Sequence, residues 1–375
     1  MYLIVGAGIS GSVLANLIAE RLNQKVLIID RREHIAGNCF DYLNANENIT
    51  VHKYGPHIFH TNNKEVWDYL SNFTKWHYFY LKPNVMIEGN RVSLPFTLKT
   101  LRELFSFSMS ERIENKLIAK YGYGVKVPIL DFQKSKDKDL NFIGKFVYEN
   151  VFKNYTIKQW GLKPEEIDAS VTARVPIYIS NDSRYFQDKY QAIPIKGYTK
   201  LIENILNHKN ITVQLNMDYK TLSQNEIKEF KTIFYTGAID EYFDYQYGEL
   251  PYRSLKFDIM TIDKEYYQKS VVTNYPNDYD FTRITEHKYF LDEKSNKTII
   301  SVEYPKVFSL GKNERYYPIN NDKNDKLYNK YLRESKKLNN VYFFGRLGDY
   351  KYYNMDAVVR RALNLYEEIL KEDQK

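Results

Sequence analysis

The chain opens on YLIVGAGISG (residues 2–11), and a second apolar run, KVLIID (25–30), closes on an acid. An apolar run ahead of a glycine-spaced turn predicts a buried strand at Tyr2–Val5, a turn over Gly6–Gly11 and a helix over Ser12–Leu22. Val13, Leu14, Leu17 and Ile18 form the apolar side of that helix. Each part has a physical task. Gly6, Gly8 and Gly11 let the backbone turn and approach a pyrophosphate, and the helix start presents free N–H groups to it. Asp30, about twenty residues on, can hold a ribose hydroxyl. A purely structural glycine turn is the competing reading. The flanking strand and helix, and the acid ending the second strand, weigh against it.

Working outward, 375 residues are enough for two or three domains around a large core. A hydrophobic share of 43% and a charged share of 27% are those of a folded globular chain, so disorder is excluded. Lys and Arg number 54 against 47 Asp and Glu, but FQKSKDKDL (132–140) shows the two signs interspersed. That pattern is a solvated surface without the concentrated basic face that nucleic acid needs, and the remaining excess favours an anionic ligand. Cys39 is the single cysteine, so no internal disulfide forms and a reducing cytoplasm is expected. Residues 1–19 are nearly uncharged but lack a basic start and are interrupted by glycines, so neither a signal peptide nor a membrane span is expected.

Helical periodicity dominates from about Leu98 to Trp160. SMSERIENKLIAKYG (108–122) carries a capping-box pattern, Ser108 to Glu111, with Gly122 near the stop. FIGKFVYENVFKNYTIKQWG (142–161) repeats the pattern with Phe142, Phe146, Phe152 and Tyr155. Pro164 and Pro176 bracket a long loop of the kind that acts as a lid. ITVQLNM (211–217) and KTIFYTGAID (231–240) look like strands returning to the nucleotide domain, and from Leu255 to about Ile319 short alternating runs predict an antiparallel sheet. The end gives a strand, VYFFG (341–345), a loop, RLGDYKYYNMD (346–356), and a helix, AVVRRALNLYEEIL (357–370). The fold class is therefore α/β: a Rossmann-like domain built from separated segments, a helical-bundle insertion and an antiparallel sheet domain. The expected division is 1–77, 187–238 and 323–375 for the nucleotide domain, 78–96 and 239–322 for the sheet domain, and 97–186 for the helical domain with a mobile loop at 161–176.

No second glycine fingerprint exists: YGYGVKVP (121–128) lacks the third glycine and a preceding strand. An NAD-only enzyme would finish its domain within roughly the first 150 residues. Here the chain returns at its end, which favours FAD.

YTGAIDEYFDYQYGELPYRSL (235–255), YGPHIFHT (54–61), FFGRLGDYKYYNMD (343–356), ERYYPI (314–319) and the Trp160–Pro176 loop together resemble the bacterial UDP-galactopyranose mutase family. Only the first motif is similar to flavin amine oxidases. The resemblance implies that nothing is oxidised over a full cycle: reduced FAD attacks the anomeric carbon through N5, UDP leaves, and an adduct opens and recloses as the furanose. It also implies a UDP-sugar substrate, an external reductant such as NAD(P)H, a homodimer, and galactofuranose supply for cell-surface polysaccharide.

A departing diphosphate carries about two negative charges, and one cation at roughly 4 Å contributes on the order of 4 kcal/mol at an effective dielectric near 20. Arginine suits the task because its fork binds phosphate oxygens bidentately. The resemblance assigns this role to Arg174 and Arg283. It places Phe152, Tyr155 and Thr156 at the uracil, Trp160 over the substrate, and Asn84, Tyr185, Arg253, Glu303, Tyr317, Tyr352 and Asn354 in the substrate site. Read by spacing alone, Phe152 and Tyr155 are helical core. The resemblance adds Ser10, Arg31, Asn38, Arg346, Tyr352 and Met355 to the glycines and Asp30 as cofactor contacts. The resemblance places His57 and His60 beside flavin and sugar, where His60 can align or protonate the reacting centre. Their spacing in a Gly-Pro-led segment without a carboxylate motif argues against a metal pair, and no metal is expected. Two positions depart from the family: Ala36 stands where glycine is expected and Asn354 where aspartate is expected. Rival classes are a mutase preferring UDP-N-acetylgalactosamine, a flavin oxidoreductase of the amine-oxidase type, and a nucleotide- or nucleic-acid-binding protein without catalysis.

Overall fold

The computed structural model describes residues 1–161 and 176–373. Five parallel strands form the nucleotide sheet, in the order Ile211–Gln214, Val26–Ile29, Tyr2–Val5, Thr232–Tyr235, Val341–Phe343. Three distant stretches thus supply one sheet. The strands are near-continuous apolar runs because helices cover both faces. The helix expected from Ser12 begins earlier, at Ile9, and runs to Arg21. Gly11 consequently lies inside it, where a Cβ would sit 2.1 Å from the Gly6 carbonyl oxygen. This glycine serves close packing of helix on turn. Helix Met355–Asp373 packs alongside, returning the chain's end to its start.

The helical region has its own core, built on Leu101, Ile113, Leu117, Phe132, Ile143 and Val147. The expected capping box at Ser108 and Glu111 does not form. Helix Phe107–Tyr121 starts one residue ahead of Ser108, with extended Ser106 in the cap position, so Ser108 is already inside the first turn. Reciprocal capping boxes occur instead at Thr97 with Thr100 and at Ser223 with Glu226. The helical run is also interrupted by strand Lys126–Pro128, which pairs with Pro176–Tyr178. Near its end it changes pitch: Lys138–Val147 is α-helical, Tyr148–Lys153 is π-helical, and Asn154–Trp160 is α-helical again. A π-turn inserts residues into the 3.6 repeat and re-aims the side chains beyond it.

Seven strands make the second large sheet, in the order Tyr317–Pro318, Tyr252–Ile262, Thr298–Val307, Arg283–Glu286, Val272–Asn274, Asn84–Ile87, Asn90–Ser93. It is antiparallel except where Val272–Asn274 meets Asn84–Ile87 in parallel. That exception arises because the last two strands are a hairpin from much earlier in the chain. Among the described residues no helix is long and apolar enough to cross a membrane.

Candidate active site

A cleft opens at the carboxyl ends of the parallel strands, where doubly wound sheets bind ligands. Gly6, Gly8, Ser10, Asp30, Arg31, Asn38, His57, Arg346 and Met355 all line it. Asp30 anchors the turn from below, accepting the Ala7 N–H at 2.8 Å and the Arg32 N–H at 2.9 Å. Ala36 adopts φ +71°, a left-handed conformation that explains why glycine is the expected residue there.

The cleft's chemistry fits a dinucleotide. A Cβ on Gly8 would meet only the Gly37 backbone, at 3.8 Å, so the chain there is open to close approach, while Gly6, at φ +110°, packs against Thr236, whose Oγ1 lies 2.0 Å from where a Cβ would sit. His57 Nδ1 is buried with no hydrogen-bond partner among the described residues. Burial, then His52 and the cations Arg346 and Arg283, push the His57 imidazole down to about 3, so it meets any ligand uncharged. Burial likewise pushes the Cys39 thiol up to about 12, so this cleft residue is not a thiolate.

A second wall joins the cleft through Arg346, whose guanidinium lies 5.4 Å from the Tyr352 ring and 5.8 Å from the Tyr317 ring. Trp160 completes this cage, 6.0 Å from Tyr317 and 6.1 Å from Tyr352. Of the neighbouring pair in ERYYPI, Tyr317 faces the cage, whereas Tyr316 packs towards Tyr54 and Phe257. Arg283 Nη2 lies 2.6 Å from Glu303, a carboxylate only 1% exposed that also accepts from the Thr282 hydroxyl at 3.1 Å. Burial opposes the charge on Arg283, but Glu303, with Tyr155 and Tyr317, outweighs it and holds the guanidinium above the ordinary arginine range. Tyr155 has Arg283, Glu303, Tyr185 and Tyr317 as its charged and phenolic neighbours, and burial keeps its phenol protonated. Two guanidinium groups, Arg346 and the Glu303-paired Arg283, among phenolic O–H donors make a wall suited to an anion.

The remaining expected residues fall less simply. Phe152 and Tyr155 do not share one α-helix: Phe152 is in the π-turn, 4% exposed and packed in the helical core beside Tyr148, while Tyr155 lies past the change of pitch and turns towards Arg283. Thr156 is buried. Asn84 starts the edge hairpin, paired with Thr273. Arg253 directs two donors to the end of the Trp160 helix, Nε to the Gln159 carbonyl and Nη2 to the Lys158 carbonyl, both at 3.0 Å. His60 is not in the cleft wall: its Nδ1 lies 2.8 Å from Asp188 and its ring stacks on Phe186 at 3.6 Å. Tyr185 is exposed, edge-on to Phe186. Asn354 is exposed, its carbonyl accepting the Val358 N–H at the start of the last helix. Arg174 and most of the expected mobile loop lie outside the described residues.

Sequence reasoning missed a web of ion pairs along the cleft: Arg31 with Glu241 and Glu314, Arg32 with Glu314, and Arg315 with Glu241. The doubled arginine directly after Asp30 was the available signal. Asp188, the partner of His60, had none.

Glycine turn, cleft and parallel sheet define a dinucleotide-binding enzyme fold with an anion wall attached. A sequence profile of NAD(P)-binding Rossmann-like domains matches residues 4–73, and one of UDP-galactopyranose mutase matches residues 150–352. A probable UDP-galactopyranose mutase of Klebsiella pneumoniae is 39% identical over 98% of this chain and 94% of its own length. A dTDP-fucopyranose mutase of Escherichia coli is 37% identical over 100% of this chain and 99% of its own. The crystal structure of a reduced UDP-galactopyranose mutase superposes with a TM-score of 0.72, at 13% identity, over 100% of this chain and 94% of that one. The chain belongs to the UDP-galactopyranose mutase family.

Proposed function

We propose that this protein interconverts UDP-galactopyranose and UDP-galactofuranose, an isomerisation without net redox change. The observation that carries the reading is the junction at Arg346, which lines the dinucleotide cleft and reaches Tyr317 and Tyr352 of the anion wall. Cofactor and leaving group would there meet at one point. FAD is the dinucleotide in this reading, held by the glycine turn, Asp30, Arg31, Asn38, His57 and Met355, and when reduced it supplies a nucleophilic N5 to the sugar's anomeric carbon.

The chain's own residues do the rest. Arg283, aligned by Glu303, takes the charge of the diphosphate, and Arg174 adds a second cation. Tyr155, Tyr185, Tyr317 and Tyr352 donate O–H groups to phosphate oxygens, and Trp160 covers the sugar against water. His60, fixed by Asp188, is a candidate to orient or protonate the sugar. The three-part domain division, a homodimer, NAD(P)H as reductant and supply of galactofuranose for surface polysaccharide complete the proposal.

Incubating the pure flavoprotein with UDP-galactofuranose, with and without dithionite, and separating the nucleotides tests it. Interconversion that depends on reduction is expected; turnover indifferent to flavin reduction would refute the mechanism. The second reading, ring contraction of dTDP-fucopyranose, is favoured by the full-length similarity to the E. coli relative. The two substrates differ at the ribose 2′ position, the base 5-methyl and the sugar 6-hydroxyl. Competing UDP-galactose, UDP-N-acetylgalactosamine and dTDP-fucose on the reduced enzyme ranks them directly.

A further inference from the structure

The tip between strands Val272–Asn274 and Arg283–Glu286 does more than turn the chain. Asn277, at this tip, uses both ends of its amide on the pitch change of the helical run: Nδ2 donates to the Asn150 carbonyl at 3.1 Å, and Oδ1 accepts from Asn154 Nδ2 at 2.7 Å. Residues 150 and 154 bracket the junction of π-turn and α-helix. From the other side Lys158 reaches back, its Nζ donating to the Tyr275 carbonyl at 2.8 Å and to the Phe281 carbonyl at 3.3 Å. The tip is itself closed by Tyr275 N–H to the Thr282 carbonyl at 2.8 Å. Thr282 then holds Glu303, and Glu303 holds Arg283.

An unbroken set of hydrogen bonds therefore joins the helix bearing Tyr155 and Trp160 to the strand bearing Arg283. Arg253 clamps the far end of the same helix, at Lys158 and Gln159. Gly161, which ends it at φ +67°, sits against the same guanidinium, with Arg253 Nη1 2.7 Å from where a Cβ would lie. Both ends of the helix are thus pinned to the sheet.

We propose that Asn277 and Lys158 are positioning residues that lock the Tyr155–Trp160 helix to the Arg283 hairpin, so that aromatic wall and guanidinium meet a nucleoside diphosphate in one register. This rests on the function proposed above, in which that wall receives a UDP-sugar. Neither side chain is assigned a contact with the substrate. Their loss is felt in binding and placement of the diphosphate, because a guanidinium that drifts from its phenolic neighbours loses the shared grip.

The test uses the FAD-loaded enzyme and the variants Asn277→Ala, Lys158→Met and Lys158→Arg, read in two ways. Hydrogen exchange without ligand monitors residues 150–160 and the segment around Arg283. UDP affinity, by titration of tryptophan fluorescence, monitors the wall. In Asn277→Ala and Lys158→Met both segments are expected to exchange faster together, with UDP bound about tenfold more weakly and flavin content unchanged. Lys158→Arg, which keeps a cation long enough to reach the carbonyls, should restore most of the affinity. Unchanged exchange in both segments, or weaker binding equally present in Lys158→Arg, overturns the proposal. Should the parent bind neither UDP nor dTDP, the function fails separately, and the exchange data alone decide whether helix and hairpin are locked.

Discussion

Lowering the pH from 7.5 to 5.5 should load protons onto the unfolded chain that the folded one refuses, because His52 and His287 are held neutral. They are 1% and 0% exposed. The backbone N–H of His57 donates to His52 Nδ1 at 3.1 Å, and that of His52 donates to His287 Nδ1 at 3.3 Å. Each Nδ1 is therefore a lone-pair acceptor, and His287 Nε2 is left to donate to Ser301 Oγ at 3.1 Å. A proton on either Nδ1 would set two N–H groups face to face. Burial pushes His52 down to about 3, and burial with His52 beside it pushes His287 well below the ordinary range. The sign is set by which state binds protons: the unfolded histidine, with a pKa of about 6.5, takes them up below that value and the folded one does not. Stability is thus fully present above pH 6.5 and is lost as the pH falls. Between pH 7.5 and 5.5 each ring loses about 1.4 kcal/mol, about 2.7 kcal/mol for the pair, however far below 5.5 the folded values lie. The direct assay is a pH-stat measurement of protons taken up on urea unfolding at pH 5.5, where each unfolded histidine is about 0.9 protonated. His287→Gln keeps an acceptor for the His52 N–H and a donor for Ser301, so uptake should fall by about 0.9 proton whatever its own stability. Equal uptake by parent and variant would refute the reasoning.

Three further substitutions read other parts of the structure. Arg283→Ala strands the buried Glu303 carboxylate, costing about 3–5 kcal/mol of stability, and lowers turnover of the UDP-sugar by about a hundred- to a thousandfold. Adding Glu303→Gln should recover most of the thermal midpoint and none of the turnover, which separates the two roles. Lys288 is 2% exposed and its ammonium donates to the carbonyls of Glu265, Ser295 and Lys297, so Lys288→Met should cost about 3 kcal/mol in urea unfolding while turnover per folded molecule stays at the parent value. Ala36→Val forces a β-branched residue into φ +71° on the cleft wall, and is expected to cost about 2 kcal/mol and weaken flavin retention in a dilution assay.

The two halves of the site differ in how much of them a sequence can state. The dinucleotide half is local: strand, glycines, helix start and acid fall within the first 30 residues, and the spacing alone encodes the geometry that Asp30 and Ala7 then realise. The anion wall is assembled by tertiary structure from Tyr155, Arg283, Glu303, Tyr317 and Arg346, which no period connects. The family resemblance groups Arg283, Glu303 and Tyr317 in the substrate site but assigns Tyr155 to the uracil and Arg346 to the cofactor. Periodicity reads Phe152 and Tyr155 together as helical core, and the structure keeps Phe152 there while Tyr155 leaves that cluster. Phe152 and Tyr155 look like neighbours on one helix face if every turn holds 3.6 residues, but the run Tyr148–Lys153 is a π-turn. The wider turn breaks the register between them, so Phe152 stays in the core while Tyr155 swings to Arg283. A wider turn disturbs the regular ladder and needs support from outside the helix, and here Asn277, more than a hundred residues away, supplies it. The side chain that bonds the irregularity is then the one that ties it to the Arg283 hairpin, and this is why neither the irregularity nor its tertiary partner could be read from the helix sequence by itself.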